Sequence, residues 1–545
     1  MDIVHISGAS TACHSAEEIG AKAANLAKMA SIGLPVPPAF VLPVKLCADL
    51  ICKHVHAERD LRDGLKEGIE FLESTTGKRF GDHRRPLLVS VRSGAARSMP
   101  GMLNTVLNVG CTSRAVHGLI RVTGRSRLAW DCRRRFMESF AETVLGFDLT
   151  RFTARISELT ADEGVASDRE LDSEAIERLA ADEQALIEGR GDGWLEDADE
   201  QLEGAARAVY QSWMSERAQT YRRLQKLEHL KGTAVTVQAM VLGNGGPSSG
   251  AGVAFSRDPS IGSARPMIDL VLDAQGEDLV SGRRTPDSEA TIARALPTIA
   301  TELGGILKQL EQEFGDVQDV EFTVEEGKLW ILQTRAAKRT PRAAVRIAID
   351  LVHEELITQK EALERIADVD LASLVEVSLC AAGDPVITGI GASGGIAVGR
   401  AAFDSEGAQH LAADGDPVIL MRPDTSTADV AGFAMASGVV TAVGARTAHA
   451  ALVARQMGKP CVVGCRDMAI DAAARRAQLG KSAISEGDWI TIEGEGGKVY
   501  LGRSETVVTK PEMELAEIAS WRSQDGGGAR HGSLAQPRAR RSAPA

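Results

Sequence analysis

The residues Thr441-Ala-Val-Gly-Ala-Arg-Thr-Ala-His449-Ala-Ala-Leu-Val-Ala-Arg455 carry the clearest chemical signal in the 545-residue chain. An apolar strand runs into a turn at Gly444, and Thr447 reads as the N-cap of the helix that follows. His449 then falls in the first helical turn, where free backbone N–H groups and the helix dipole favour an anion. A neutral imidazole, with an ordinary pKa of about 6.5, is a good nucleophile near neutral pH. A phosphoryl group on His449 would be stabilised where it forms, and Arg446 and Arg455 would add positive charge. Taken alone, a histidine at a helix start reads more readily as a packing residue, and the wider context reverses that.

The elements that must hold this residue fall into distinct stretches. Ala21 to Ile32 has the pattern of an amphipathic helix stopped by Leu34-Pro-Val-Pro-Pro38. Strand signals follow at Phe40–Leu42, Leu87–Val91, Ala234–Gln238, Met267–Leu272, Val320–Val324 and Leu329–Leu332. Residues 112–230 are long, charged and rich in Ala, Leu, Arg and Glu, which predicts a helical insert. A helical connector spans 341–384, with a capping-box spacing at Thr358-Gln-Lys-Glu361. A smaller unit with short strands and glycine turns covers 385–505. Residues 524–545 lack apolar periodicity and read as a disordered tail.

Composition narrows the function. The net charge of -13 disfavours nucleic acid and anionic lipid as partners. Eight scattered cysteines without a CxxC pair argue against a disulfide framework or a zinc site. No secretory leader and no apolar run of about 18 residues is present, so the expectation is a cytoplasmic protein with no membrane span. Two motifs mislead. Gly389-Ile-Gly-Ala-Ser-Gly394 matches GxGxxG, but a strand follows it where a dinucleotide site needs a helix. Gly480-Lys-Ser482 resembles the end of a P-loop, but Arg475 stands at its first glycine.

The segment Thr447 to Gly464 resembles the phosphohistidine segment of pyruvate phosphate dikinases. So, in order, do Gly20-Ala-Lys22-Ala-Ala-Asn-Leu26, Ser90-Val-Arg92-Ser-Gly-Ala-Ala-Arg-Ser-Met-Pro-Gly101-Met, Ala251 to Pro259, Asp273 to Asp278, Asp319-Val-Glu321-Phe-Thr and Leu332-Gln333-Thr-Arg335. The resemblance implies an α/β protein. An ATP-grasp nucleotide-binding domain (residues 1–340, with the helical insert) would precede a swivelling β/α phosphohistidine domain (385–505). It implies ATP and phosphate as substrates, His449 as the phosphoryl carrier, and nucleotide contacts from Lys22, Arg92, Gly101, Asp319, Glu321, Gln333 and Arg335. Magnesium would lie at Glu321 and Gln333, with Asp319 a further candidate. Lys22, Arg92 and Arg335 are apt donors for phosphate, and the loop Gly243–Gly250 would let backbone close over it. Each of these also has a plain reading: a solvated helix lysine, a surface ion pair, a strand carboxylate, a hairpin turn.

The family's third part is a barrel that binds phosphoenolpyruvate or pyruvate. Residues 506–523 resemble the connector toward it, and only 24 residues follow Trp521, against about 250 for such a barrel. The expectation is a phosphotransferase that performs the nucleotide half-reaction, with the barrel on a separate chain. A homodimer is left open. Thr447 corresponds to a regulatory phosphorylation position in some members, where a phosphate would repel transfer to His449. Local departures are Ala21, Ala23, Ala445 and Arg446, with Asn104 where an aspartate is common. Two alternatives stand beside this reading: an ATP-dependent phosphotransferase with a non-pyruvate acceptor, and a non-catalytic ATP-binding regulator of a full-length dikinase.

Overall fold

The computed structural model describes residues 2–8, 14–97, 99, 102–187, 192–280, 286–287, 289–380, 383–425, 429–446 and 448–527. The fold is mixed α/β. Two antiparallel sheets build the N-terminal half. The first contains Val4–Ile6 (β1), Ala39–Leu42 (β2), Val89–Gly94 (β3), Thr105–Val109 (β4) and Ala234–Ala239 (β5), in the order β1-β2-β5-β3-β4. The second contains Gly250–Phe255 (β6), Met267–Leu272 (β7), Gln318–Glu325 (β8) and Lys328–Ala336 (β9), in the order β9-β8-β6-β7. Strands β2 and β5 are buried along their whole length; the unbroken apolar run of β2 dictates this, while β5 also buries the polar Thr236 and Gln238.

The helix Ala21–Ser31 (α1) lies between these sheets. It buries Ala23, Leu26, Ala27, Met29 and Ala30, and Gly33 ends it at φ +80°. Its entry is set by Gly20, at φ +79° and ψ 151°, a conformation open to glycine alone. A Cβ on Gly20 would stand 2.0 Å from the Gly94 carbonyl oxygen. That backbone contact draws the start of α1 onto the end of β3. In the second sheet the Phe322 ring lies where a Cβ on Gly252 would be, 2.3 Å away, so the glycine makes room for a core aromatic.

Between β4 and β5 the chain forms α-helices at Ser113–Thr123, Ser126–Thr143 (α2), Thr150–Asp162, Ser173–Ile187, Ala198–Ser212 and Glu216–Leu224. Helix α2 carries Phe136 and Phe140, which pack with Trp194 into the core beneath the first sheet. Its Arg133, Arg134 and Arg135 are buried, and each is compensated. Arg134 and Arg135 share Asp131, and Arg135 reaches Asp278 at 2.8 Å. Removing one partner from such a network is strongly destabilising. The helix Pro341–His353 packs against the second sheet's outer face. The capping box at Thr358 is formed, with Thr358 Oγ1 accepting from Glu361 N at 3.2 Å and Glu361 Oε2 from Thr358 N at 2.8 Å.

The C-terminal unit is an eight-stranded sheet: Ile387–Thr388 (β10), Ile390–Ser393 (β11), Ile396–Ala402 (β12), Val418–Arg422 (β13), Gly438–Thr441 (β14), Cys461–Val463 (β15), Trp489–Glu493 (β16) and Lys498–Leu501 (β17). The order is β10-β17-β16-β12-β13-β14-β15-β11. Strands β12 to β15 are parallel. The GxGxxG stretch falls across β11 and the turn into β12, so it is strand and turn with no helix after it. The helix His449–Gln456 (α3) follows β14 and packs its buried Ala450, Ala451 and Ala454 on the sheet. After β17, Thr506–Thr509 pairs with Glu376–Leu379 of the connector, and a helix covers Glu512–Gly527. No described helix is long and apolar enough to cross a membrane.

Candidate nucleotide and phosphohistidine site

A cavity of about 610 Å³ opens between the two N-terminal sheets. Lys22, Arg92, Glu321, Gln333 and Arg335 all line it. They arrive on four different elements. Lys22 is the second residue of α1, Arg92 lies on β3, Glu321 on β8, and Gln333 and Arg335 on β9. The β8–β9 pairing sets Glu321 opposite Gln333 and Asp319 opposite Arg335. Facing residues of an antiparallel pair project to one side of the sheet, so the short turn at Glu326-Gly327 presents carboxylate and carboxamide together.

The charges are interlocked. Arg92 Nη2 donates to Glu321 Oε2 at 3.1 Å, and Arg335 Nη2 stands 3.9 Å from Glu321 Oε1. Burial pushes the Glu321 carboxyl upward, but Arg92, Arg335 and Lys22 together outweigh it and hold the group below its ordinary range. Lys22 is brought down to about 8, first by burial and then by the charge of Arg92, with Glu321 pulling the other way. Three cations therefore face one lining carboxylate of this group, an arrangement that favours a polyanion. Apolar residues, among them Met102, Leu103, Met240 and Val241, line the same cavity. A space that is part apolar and part cationic suits a ligand with a flat ring system and a phosphate chain.

Several expectations are corrected. Asp319 does not line the cavity. It is 2% exposed and its Oδ2 accepts from Arg335 Nε at 2.8 Å, so it orients that arginine from behind. Burial raises its carboxyl despite Arg335. The loop Gly243–Gly250 does not line the cavity either. Asn244 Nδ2 donates to Asp131 at 2.9 Å and Ser249 Oγ accepts from Glu326 N at 3.0 Å, which ties the loop to α2 and to the β8–β9 turn. Ala21 and Ala23 belong to α1 itself, so Lys22 stands in the helix that the apolar pattern of Ala21 to Ile32 predicts. Asn104 lies outside the lining and accepts from Arg217. Gly101 and Thr447 lie outside the described residues, as does 528–545, most of the expected tail. Residues 524–527 are the end of a helix.

At the histidine segment the N-cap is Ala448, with no side-chain cap, and His449 is the first residue of α3. One turn further on, Leu452 lines the cavity. A helix rises 1.5 Å per residue, so the start of α3 lies at the cavity's edge. Arg446 and Arg455 are not free cations. Arg446 is paired with Asp269 of β7. Arg455 is fully buried, and burial lowers it to about 10. It donates to the Arg446 carbonyl and to that of Ala451. Asn25, Arg97, Ser139, Gln238 and Gln275 line the cavity without having been singled out. Asn25, Arg97 and Gln275 sit inside the family-like motifs, and Gln238 lies one residue before the end of β5, where Thr236 and Gln238 alternate with Val235 and Val237.

The magnesium expected from the resemblance finds suitable donors. Glu321 and Gln333 offer a carboxylate and a carbonyl oxygen side by side, the hard ligands this ion takes while keeping phosphate and water oxygens. No cluster of three or more His, Cys, Asp or Glu among the described residues would enclose a metal without substrate.

Comparison with known proteins agrees with this architecture. Residues 51–301 and 289–356 match the model of the pyruvate phosphate dikinase AMP/ATP-binding domain, and residues 414–497 that of the mobile domain of PEP-utilising enzymes. The chloroplastic pyruvate, phosphate dikinase of Flaveria pringlei is 40% identical over 511 residues, covering 93% of this chain and 53% of that protein. The pyruvate, phosphate dikinase of Clostridium symbiosum is 38% identical over 509 residues, 92% of this chain and 58% of the relative. That of Rhizobium meliloti is 40% identical over 538 residues, 95% and 60% respectively. The fold and site define a nucleotide-binding unit joined to a mobile domain. The chain belongs to the pyruvate phosphate dikinase family, and it spans between half and three-fifths of the length of these relatives.

Proposed function

We propose that this chain carries out the nucleotide half-reaction of a pyruvate phosphate dikinase. The imidazole of His449 attacks the β-phosphorus of ATP, the bond to the α-phosphate oxygen breaks, and AMP leaves. Inorganic phosphate then takes the γ-phosphoryl group from pyrophosphoryl-His449, giving pyrophosphate and phospho-His449. The phosphoryl group passes onward to pyruvate on a separate barrel chain. Lys22, Arg92 and Arg335 bind and orient the phosphate chain, and their fixed charges favour the charge that develops on the transferring group. Glu321 and Gln333 would hold magnesium, whose chemistry is to neutralise phosphate charge.

One observation supports this reading above the rest. Five residues spread from position 22 to 335 converge on one cavity, and the helix opened by His449 contributes Leu452 to its wall. The test supplies magnesium, phosphate and ATP labelled at the β-phosphate. Acid-labile, base-stable label on the protein, released AMP, and loss of both in His449→Ala are the expected results. ATP binding without label would reject the half-reaction and leave a nucleotide-binding regulator. Label that never reaches pyruvate in the presence of a supplied barrel, but moves to another acceptor, would reject the pyruvate step.

A further inference from the structure

The two halves of the molecule meet along a built seam. Ala445, directly before Arg446, is fully buried in a cluster that includes Val253, Phe255 and Val271 of the second N-terminal sheet. Ser260 Oγ donates to the Ala392 carbonyl at 3.4 Å. At the centre, Arg446 Nη1 pairs with Asp269 Oδ1, and Arg446 Nε donates to the Gly391 carbonyl at 3.1 Å. Asp269 is 4% exposed on β7. Its other oxygen, Oδ2, is buried and has no hydrogen-bond partner, so the Arg446 guanidinium, with Arg455 as a second cation nearby, compensates this carboxylate. Arg455, fixed over the Phe255 ring at 5.1 Å, donates in turn to the Arg446 carbonyl. The guanidinium that crosses the seam is thereby held from its own backbone.

We propose that Arg446 and Asp269 form a clasp, made only when the histidine-bearing domain is docked, and that Arg446 is the positioning residue which registers the first turn of α3 at the cavity. The reason is electrostatic. A buried carboxylate that loses its cation is costly in place, whereas it is readily solvated once the seam opens. Removing one partner of the pair therefore biases the molecule toward opening, whereas removing both does not. The consequence for phosphoryl transfer rests on His449 being the carrier, but the clasp itself needs no nucleotide to be measured.

The experiment uses the full chain with Ala445→Cys, whose thiol is shielded only while the seam is closed. Its modification by excess maleimide is followed by peptide mass spectrometry, without ATP, alongside buried Cys111 as an internal reference for unfolding. Slow labelling at position 445 is expected in the parent. Arg446→Met or Asp269→Asn should raise that rate at least about tenfold with Cys111 unchanged. Arg446→Lys, which keeps the charge and loses the fork, should fall between. Arg446→Met combined with Asp269→Asn removes both charges of the pair and should return toward the parent rate. Unchanged rates in the single variants, an equal rise at Cys111, a double variant as fast as the singles, or free-thiol reactivity already in the parent would each overturn the clasp. Loss of histidine labelling with intact protection at position 445 would instead reject the half-reaction and leave the clasp standing.

Discussion

Lys22 shows how one side chain's surroundings become a measurable property. Its ammonium stands among guanidinium groups in a partly dry cavity and is lowered to about 8. A phosphate chain brought beside it would restore the charged form. Nucleotide binding between about pH 8 and the ordinary lysine range should therefore take up close to one proton, and affinity should fall as pH rises through 8. Calorimetry in buffers of different ionisation enthalpy measures this uptake, and Lys22→Met should abolish it and lower histidine labelling by about 10²-fold or more. The carboxylates divide in the same way. Glu321 lines the cavity while Asp319 backs Arg335. Glu321→Gln should raise the magnesium concentration needed for labelling, whereas Asp319→Asn should weaken ATP binding with its magnesium dependence unchanged. Titrations of label against magnesium in the two variants separate these roles. The identities of both acids were legible in the sequence. Which one meets the cavity was not, because both lie on one face of β8, two residues apart, and only the packing of Arg335 over Asp319 separates them.

The element that depends most on a single position is the start of α1. Gly20 adopts a backbone conformation closed to other residues and touches the Gly94 backbone. Gly20→Ala combines backbone strain with a steric clash, and should destabilise the protein by about 2 kcal/mol or more. Because the same contact sets α1 against β3, it should also lower ATP affinity. Thermal melts with and without Mg-ATP read both effects. Strands β8 and β9 were legible as the apolar runs Val320–Val324 and Leu329–Leu332. The glycine loop before β6 did not, since flexibility in a sequence does not say which surface the loop will lie on. Its anchors, Asp131 and Glu326, come from elements more than 70 positions away.

Across the whole molecule, the candidate nucleotide-binding residues lie in one half and the candidate nucleophile in the other. His449→Ala should therefore keep the stabilisation that Mg-ATP confers, about 2.7 kcal/mol at a hundredfold excess over Kd, while losing all covalent label. Melting curves and β-phosphate labelling on the same preparation test this separation. Loss of both together would mean that His449 contributes to binding. The seam that joins the halves is partly apolar, through Ala445, and partly polar. At its centre is the Arg446–Asp269 ion pair, the contact on which the proposed clasp rests.

By itself the sequence determined the α/β class, the order of most elements and the residue types able to handle phosphate and magnesium. These follow from local rules: apolar periodicity, caps, turn residues and contiguous motifs. Only the tertiary structure decided that Asp319 turns from the cavity, that the glycine loop anchors α2, that α3 is capped at Ala448, and that Arg446 spends its charge on Asp269. Each of these depends on a partner distant in sequence. Burial and pairing fix a charged side chain's role, and neither is encoded within reach of the residue itself.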